Sequence, residues 1–379
     1  MDAANSGLFS WNYEAQNGTM AYETANIEIK TRPRIGTEHH HRNTRRAHMS
    51  IDPVPLLRAS QARPFLAFMD RVGAPRELYL RQAKLPLLVY DDAEAVLPEL
   101  FLWGLVDKLV HNEGIEDFGL LAATHTPLWQ SEPELIGLLQ SLPTLWIALT
   151  TFCRVTRHFS TADQFVIIRE GDYAILQRRQ RQGIPGEDQA ELYDLKLMIQ
   201  LVQLAGGRDW VPPEILVSEV NARRLLRSKE FERVRIRSSN TFTCVVFPAD
   251  MLVLPMNVLA RPCELQLPKP LADNFIESLS AVIGTYLQDG NMNIRLAAEM
   301  AGLSKRTFQR RLGYLQLDYN TLIDRVRLKQ ALSLLVEPDI PVTEIAFDLG
   351  YSDAAHFTRA FRRWTALSPR EYRRQHQLV

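Results

Sequence analysis

One spacing occurs twice in this sequence. Leu296-Ala297-Ala298-Glu299-Met300-Ala301-Gly302-Leu303-Ser304 and Glu344-Ile345-Ala346-Phe347-Asp348-Leu349-Gly350-Tyr351-Ser352 each place an alanine four residues before a glycine and a serine two after it. The pattern describes a short helix, a tight turn and a second helix. Small Ala298 and Ala346 let the second helix approach the first. Gly302 and Gly350 can take the positive φ of a sharp turn. Ser304 and Ser352 are the expected N-caps. The second helices are expected over 305–312 and 353–364. Phe308 and Leu312, like Phe357 and Phe361, lie four apart and mark buried faces. The other faces show Arg306, Gln309 and Arg310 in the first unit, and Thr358, Arg359, Arg362 and Arg363 in the second. Guanidinium and carboxamide groups on a helix suit the base edges of a major groove.

Other chemistry finds little support. The cysteines, Cys153, Cys244 and Cys263, are scattered with no C-x-x-C, which disfavours a disulfide framework or a cysteine zinc site. A DNA-alkyl-repair protein would need a zinc-activated thiolate among several cysteines. No G-x-S-x-G, P-loop or H-E-x-x-H is present. Neither an enzyme, a cofactor nor a metal is expected. The run Glu38-His39-His40-His41-Arg42 reads as a solvated tail rather than a metal site.

The elements that must position the repeat fill the rest of the chain. With 379 residues, two or three domains are expected, and 46% hydrophobic with 23% charged residues is ordinary for a soluble protein. The longest nearly apolar run, 142–152, is too short to span a membrane, and the N-terminus does not read as a secretory signal. A reducing cytoplasm is the expected location. Lys and Arg balance Asp and Glu at 44 each, but residues 291–379 hold 14 basic and 9 acidic, a net of +5. The charge split directs attention to a polyanion partner for that end.

Residues 1–50 lack apolar periodicity and read as a flexible tail, with Met49 an alternative start. Helical spacing appears over 63–69, 76–82, 95–111 and 134–157, with Pro98 and Pro133 near helix openings. Two short strands joined by Gly171-Asp172 are expected near 165–168 and 173–176. Helix returns over 191–206 and stops at Gly206-Gly207. Ile215-Leu216-Val217 and 242–247 read as strands. This gives an α+β domain over 51–260. Pro262, Pro268 and Pro270 mark a linker at 261–270, and an all-α domain follows over 271–379. Within it, Leu322, Val326, Leu328, Leu332 and Leu335 stripe a helix over 319–335, a rigid connector between the two units. Two such units on one face of B-DNA would meet successive major grooves about 34 Å apart.

Residues 275–374 resemble the DNA-binding domain of the AraC/XylS family of bacterial transcription regulators. The carriers are 345–353, then His356-Phe357-Thr358-Arg359-Ala360-Phe361-Arg362-Arg363-Trp364, then Ser368-Pro369-Arg370-Glu371-Tyr372-Arg373. Thr365-Ala366-Leu367 stands where the family usually has a glycine, and only a local effect is expected. The resemblance implies base-facing roles for Arg306, Gln309 and Arg310, and for Ala355, Thr358 and Arg359. It implies phosphate contacts for His356, Arg362 and Arg363, and Lys305 joins the DNA-binding set. Alanines at 354 and 355 suggest contact with thymine methyls.

Residues 55–260 resemble, more weakly, the arabinose-binding-type sensor domain of AraC relatives such as ornithine-utilisation regulators, not the all-strand cupin-like sensor. Asp117-Phe118-Gly119-Leu120, Gly171-Asp172-Tyr173 and Trp210-Val211-Pro212 carry this. Where related domains often show His-Pro, this chain has Ser218-Glu219-Val220-Asn221. The combined expectation is a cytoplasmic transcription activator. Its partners would be double-stranded promoter DNA, RNA polymerase and a small-molecule effector, with no membrane. The alternative is a ligand-independent regulator whose N-terminal domain only forms a homodimer. Trp103, Trp129, Trp146 and Phe152 would line an effector pocket or serve as plain core.

Overall fold

Ala174 and Leu176, Ile215 and Val217, and Val245 and Phe247 lie two apart along their strands and, like Phe165, are buried, so something must cover one face of their sheet. In the computed structural model, which describes residues 52–162, 164–181, 183–256, 267–290 and 292–376, the cover is the Glu187–Gly206 helix. The expected 1–50 tail with its histidine run, Met49, Cys263 and the 261–266 part of the linker lie outside the described residues.

Residues 50–379 form one compact unit. Among the described residues its strands all precede residue 249 and its later regular elements are helices, apart from the one-turn 3-10 segment ending at Val253. Strands β1 (Leu56–Arg58) and β2 (Val96–Pro98) form an antiparallel pair. Strands β3 (Phe165–Glu170), β4 (Tyr173–Arg179), β5 (Glu214–Val217), β6 (Arg235–Ser238) and β7 (Phe242–Pro248) form one sheet in the order β3-β4-β7-β5-β6. Its pairs are antiparallel except β5 with β6. Among the described residues no helix is long and apolar enough to cross a membrane.

The covering helix is fastened by a buried carboxylate. Glu191, 1% exposed, accepts hydrogen bonds from Gln180 Nε2 and Thr243 Oγ1 at 2.7 Å, Ser218 N at 2.7 Å and Asn221 Nδ2 at 2.6 Å, and from Ser218 Oγ. Nearby, Arg178 bridges Glu187 at 2.8 Å and Asp194 at 2.5 Å. Ser218 and Asn221 therefore belong to this buried hydrogen-bonded hub, while Glu219 and Val220 between them are exposed. Ser218 also caps the Glu219–Leu225 helix.

Several expected elements differ. The helix expected over 134–157 is two, Pro133–Gln140 and Leu145–Val155. Pro143 has no N–H to continue the first, and Thr144 caps the second. The helix expected from 95 starts at Glu99, because residues 96–98 pair as β2. Strand β6 reads Arg-Ile-Arg-Ser, an edge strand with no apolar alternation to betray it.

Beyond residue 271 the helices are Phe275–Tyr286, Ile294–Met300, Lys305–Tyr314, Tyr319–Val336, Val342–Asp348, Ala354–Thr365 and Pro369–His376. The connecting helix Tyr319–Val336 buries Leu322, Val326 and Leu335, while Leu328 and Leu332 are half-buried. It touches the Phe275–Tyr286, Val342–Asp348 and Pro369–His376 helices.

Three substitutions test this framework. Glu191→Leu leaves five donors without their acceptor and should cost roughly 3–5 kcal/mol in denaturant unfolding. A loss under about 1 kcal/mol would show that the carboxylate fastens nothing. Gly302 has φ +64 and Gly350 φ +72, but only at 350 would a Cβ meet backbone, Leu287 O at 2.5 Å. Gly302→Ala should cost about 1–2 kcal/mol and Gly350→Ala clearly more; equal losses would contradict the geometry. Ala366 ends its helix in the left-handed region at φ +63, so Ala366→Gly should raise stability by up to about 1 kcal/mol, measured as a higher melting temperature.

Candidate nucleic-acid interface

The two units repeat down to single hydrogen bonds. In the first, Gly302 N donates to Glu299 O at 2.9 Å and Leu303 N to Ala298 O at 2.8 Å. Forty-eight residues on, Gly350 N donates to Phe347 O at 2.8 Å and Tyr351 N to Ala346 O at 2.9 Å. Both turns thus close over an alanine that is at most 1% exposed. The register then changes. Ser304 Oγ accepts from Thr307 N at 3.2 Å and caps the first unit's second helix as expected. In the second unit the cap is Asp353, not Ser352: its Oδ1 accepts from His356 N at 2.7 Å. The turn is one residue longer, and a carboxylate at that residue is the stronger acceptor for the helix N-terminus. This bond holds the Asp353 carboxyl below its ordinary range.

That extra residue moves the offset between the second helices from 48 to 49. Phe308 and Leu312 now correspond to Phe357 and Phe361, all four at most 1% exposed. Arg306, Gln309 and Arg310 correspond to Ala355, Thr358 and Arg359. The expected base-facing sets therefore occupy equivalent positions on the two helices. Lys305, Arg306, Gln309, Arg310, Ala355, His356, Arg359, Arg362 and Arg363 are all exposed. Thr358 is half-buried and donates its hydroxyl to Ala354 O at 2.7 Å, leaving its lone pairs and methyl for a ligand. Arg363 is paired with Asp324 of the connecting helix at 2.9 Å. His356 Nδ1 lies 3.7 Å from Asp353 Oδ2.

Not every arginine of the region faces outward. Arg327 donates to Leu349 O at 3.0 Å and lies 4.6 Å from the Tyr351 ring centre, clamping the second turn. Arg373 donates to Leu335 O at 3.2 Å and Ile340 O at 2.6 Å, fastening the last helix to the end of the connector. Sequence reading missed Arg327: its signal was a basic residue one turn from Ile323 on the connector, indistinguishable there from a solvated face.

Elsewhere, burial pushes the Cys153 and Cys244 thiols up to about 12, with Glu191 adding to the effect at Cys244. Neither is a thiolate near neutral pH. Among the described residues no group of three or more His, Cys, Asp or Glu is gathered to hold a metal ion. A cavity of about 50 Å³ lies in the N-terminal α+β region. Of the four aromatic residues expected around a pocket, it brings together Trp103 and Phe152. Trp146 is 39% exposed, and Trp129 lies beneath Arg208, 5.3 Å from its ring.

Comparison with known proteins agrees with this geometry. Residues 297–375 match the family model described as a helix-turn-helix domain. The ornithine utilization regulator of Pseudomonas aeruginosa is 30% identical over 135 residues, 33% of this chain and 40% of that protein. The HTH-type transcriptional regulator VqsM of the same organism is 41% identical over 76 residues, 20% of this chain and 23% of its own length. This chain thus spans less than half the length of either relative. The crystal structure of the transcriptional regulator CdpR from P. aeruginosa aligns over 83% of this chain and 98% of its own, at 21% identity and a TM-score of 0.34. Both sequence relatives are named as regulators. Residues 297–375 are a helix-turn-helix domain of the kind found in AraC-type DNA-binding transcription regulators.

Proposed function

We propose that this protein is a sequence-specific regulator of transcription, an activator, that inserts both second helices into successive major grooves of promoter DNA. The observation that carries the reading is the 49-residue equivalence of the exposed sets Arg306, Gln309, Arg310 and Ala355, Thr358, Arg359. Two helices presenting equivalent positions, each anchored by a buried pair, suit two similar grooves. Arg306, Gln309, Arg310 and Arg359 read base edges; Ala355 and the Thr358 methyl meet thymine methyls. Lys305, His356, Arg362 and Arg363 contact phosphates. Arg363 then exchanges Asp324 for a phosphate on binding.

Residues 271–379 serve as the DNA-binding domain and 51–260 as an effector-sensing domain, with 261–270 between them. RNA polymerase is the downstream partner, and the setting is the bacterial cytoplasm. Effector control is supported by one helix, Glu99–Glu113. Its Glu99, Leu102 and Trp103 line the cavity. Leu100 lies 3.9 Å from where a side chain at Gly302 would begin, and Phe101 packs edge-on to Tyr286 at 6.4 Å. A change at the cavity is one helix away from the first turn. The rival, a region that only dimerises, gives no reason for that juxtaposition.

Genome-wide mapping with purified full-length protein should return a few sharp sites sharing one motif; diffuse binding at moderate salt would reject sequence-specific reading. On a site so found, Arg310→Ala and Arg359→Ala should each cost about 1–3 kcal/mol and relax preference at one base pair. Arg362→Ala should weaken all sequences alike and flatten the salt slope by about one. Unchanged affinity in all three variants would reject the assignments.

A further inference from the structure

The cavity in the N-terminal region has walls of two kinds. Leu102, Leu135, Phe152 and Leu197 give it apolar surface, while Glu99, Glu132 and Asp194 contribute carboxylates. Glu99 and Asp194 each already pair with an arginine from outside the cavity. Glu99 accepts from Trp103 Nε1 at 2.8 Å and pairs with Arg181; Asp194 pairs with Arg178. Neither arginine lines the space.

Glu132 differs. Among the described residues it forms no ion pair, and it accepts from Gln61 Nε2 at 2.8 Å. Burial pushes its carboxyl up to about 7, against the opposing pull of Arg63, Ser60 and Gln61. A desolvated carboxylate beside apolar walls gains most from a cation brought to it. The space, about 50 Å³, is a third of the ~150 Å³ that holds a benzene ring. It admits a ligand of a few heavy atoms.

We propose that this cavity binds a compact primary alkylammonium ion, with its ammonium on Glu132 and its short alkyl body against Leu102, Leu135 and Phe152. The inference rests on the reading of this region as a sensor. It names the chemistry of what is sensed: charge +1 and an unbranched body of two or three carbons. The isosteric alcohol lacks the charge that Glu132 selects, and the isosteric carboxylate meets like charge.

The test is thermal unfolding of the full-length protein with ethylammonium or propylammonium chloride, against propanol, sodium propionate and sodium chloride. The ammonium ions should raise the melting temperature by about 2–4 °C at ten times their dissociation constant, and the other three should not. Glu132→Gln should weaken ammonium binding at least tenfold. Leu135→Phe, which fills the space without changing charge, should abolish it and serves should Glu132→Gln fail to fold. Stabilisation by propanol equal to that by propylammonium would overturn the proposal, as would wild-type binding by both variants or no shift with either ammonium ion. DNA affinity in the same samples separates the two readings. Ammonium binding that leaves DNA affinity unchanged supports the site and rejects effector control.

Discussion

A carboxylate at 1% exposure, with no ion pair among the described residues, is costly to bury unless donors replace the water it has lost. Glu191 meets five, from four places: the end of β4, strand β7, the segment after β5, and the helix that Ser218 caps. One side chain therefore joins the three central strands to the helix that covers them. The tie also sets the rotation of that helix. With Glu191 turned toward the sheet, Tyr193, Asp194 and Leu197 fall on the wall of the cavity. The size and charge of the cavity thus depend on an interaction that does not touch it.

From the cavity, the physical chain leads through the Glu99–Glu113 helix. Its first turn presents consecutive residues to different neighbours, Glu99 and Leu102 to the cavity, Leu100 to the first helix-turn-helix unit at Gly302, and Phe101 to Tyr286 of the Phe275–Tyr286 helix. Strand β2 immediately before it donates Val96 N to Thr285 Oγ1 at 3.2 Å, and Lys84 pairs with Glu299. Close-packed contacts of this kind are displaced as a body rather than bent. Contacts from the N-terminal region reach the Phe275–Tyr286 helix and the first unit, so any displacement is delivered there.

Much of the C-terminal region was legible because its rules are local. A positive-φ glycine, a small residue four before it and phenylalanines one turn apart need no distant partner to be read. The Ser352 assignment failed by one residue because two acceptors stand side by side, and only three-dimensional geometry chooses between them. In the N-terminal region, strands β3, β4, β5 and β7 announced themselves through apolar runs. The short β1, β2 and β6 did not, since a three- or four-residue strand draws its stability from its neighbours. The polar hub was illegible for the same reason. Glu191, the Ser218 and Asn221 pair, and Thr243 lie far apart in sequence, and each alone reads as surface. The pocket was half legible: Trp103 and Phe152 reach it, but helical spacing cannot show that Trp146 turns outward.

The charge of the C-terminal region gains meaning only when its arginines are sorted by what they already hold. A net of +5 spread over a domain would attract a polyanion without orienting it. Arg327 and Arg373 give their hydrogen bonds to backbone carbonyls at the second turn and at the end of the connector, and Arg311 lies half-buried 5.8 Å from the Phe275 ring. Glu299, an acid of the first unit, is neutralised by Lys84. What remains outward on the second helices is Lys305, Arg306, Arg310, Arg359 and Arg362, with Arg363 held by a single exposed aspartate pair that a phosphate can replace at little cost. The same folding thus immobilises some cations and leaves others exposed, those five on the two second helices and five more at Arg295, Arg325, Lys329, Arg370 and Arg374. Attraction to a phosphate backbone follows the charges that can reach it, and on the reading proposed above those of the second helices sit beside the residues assigned to the bases.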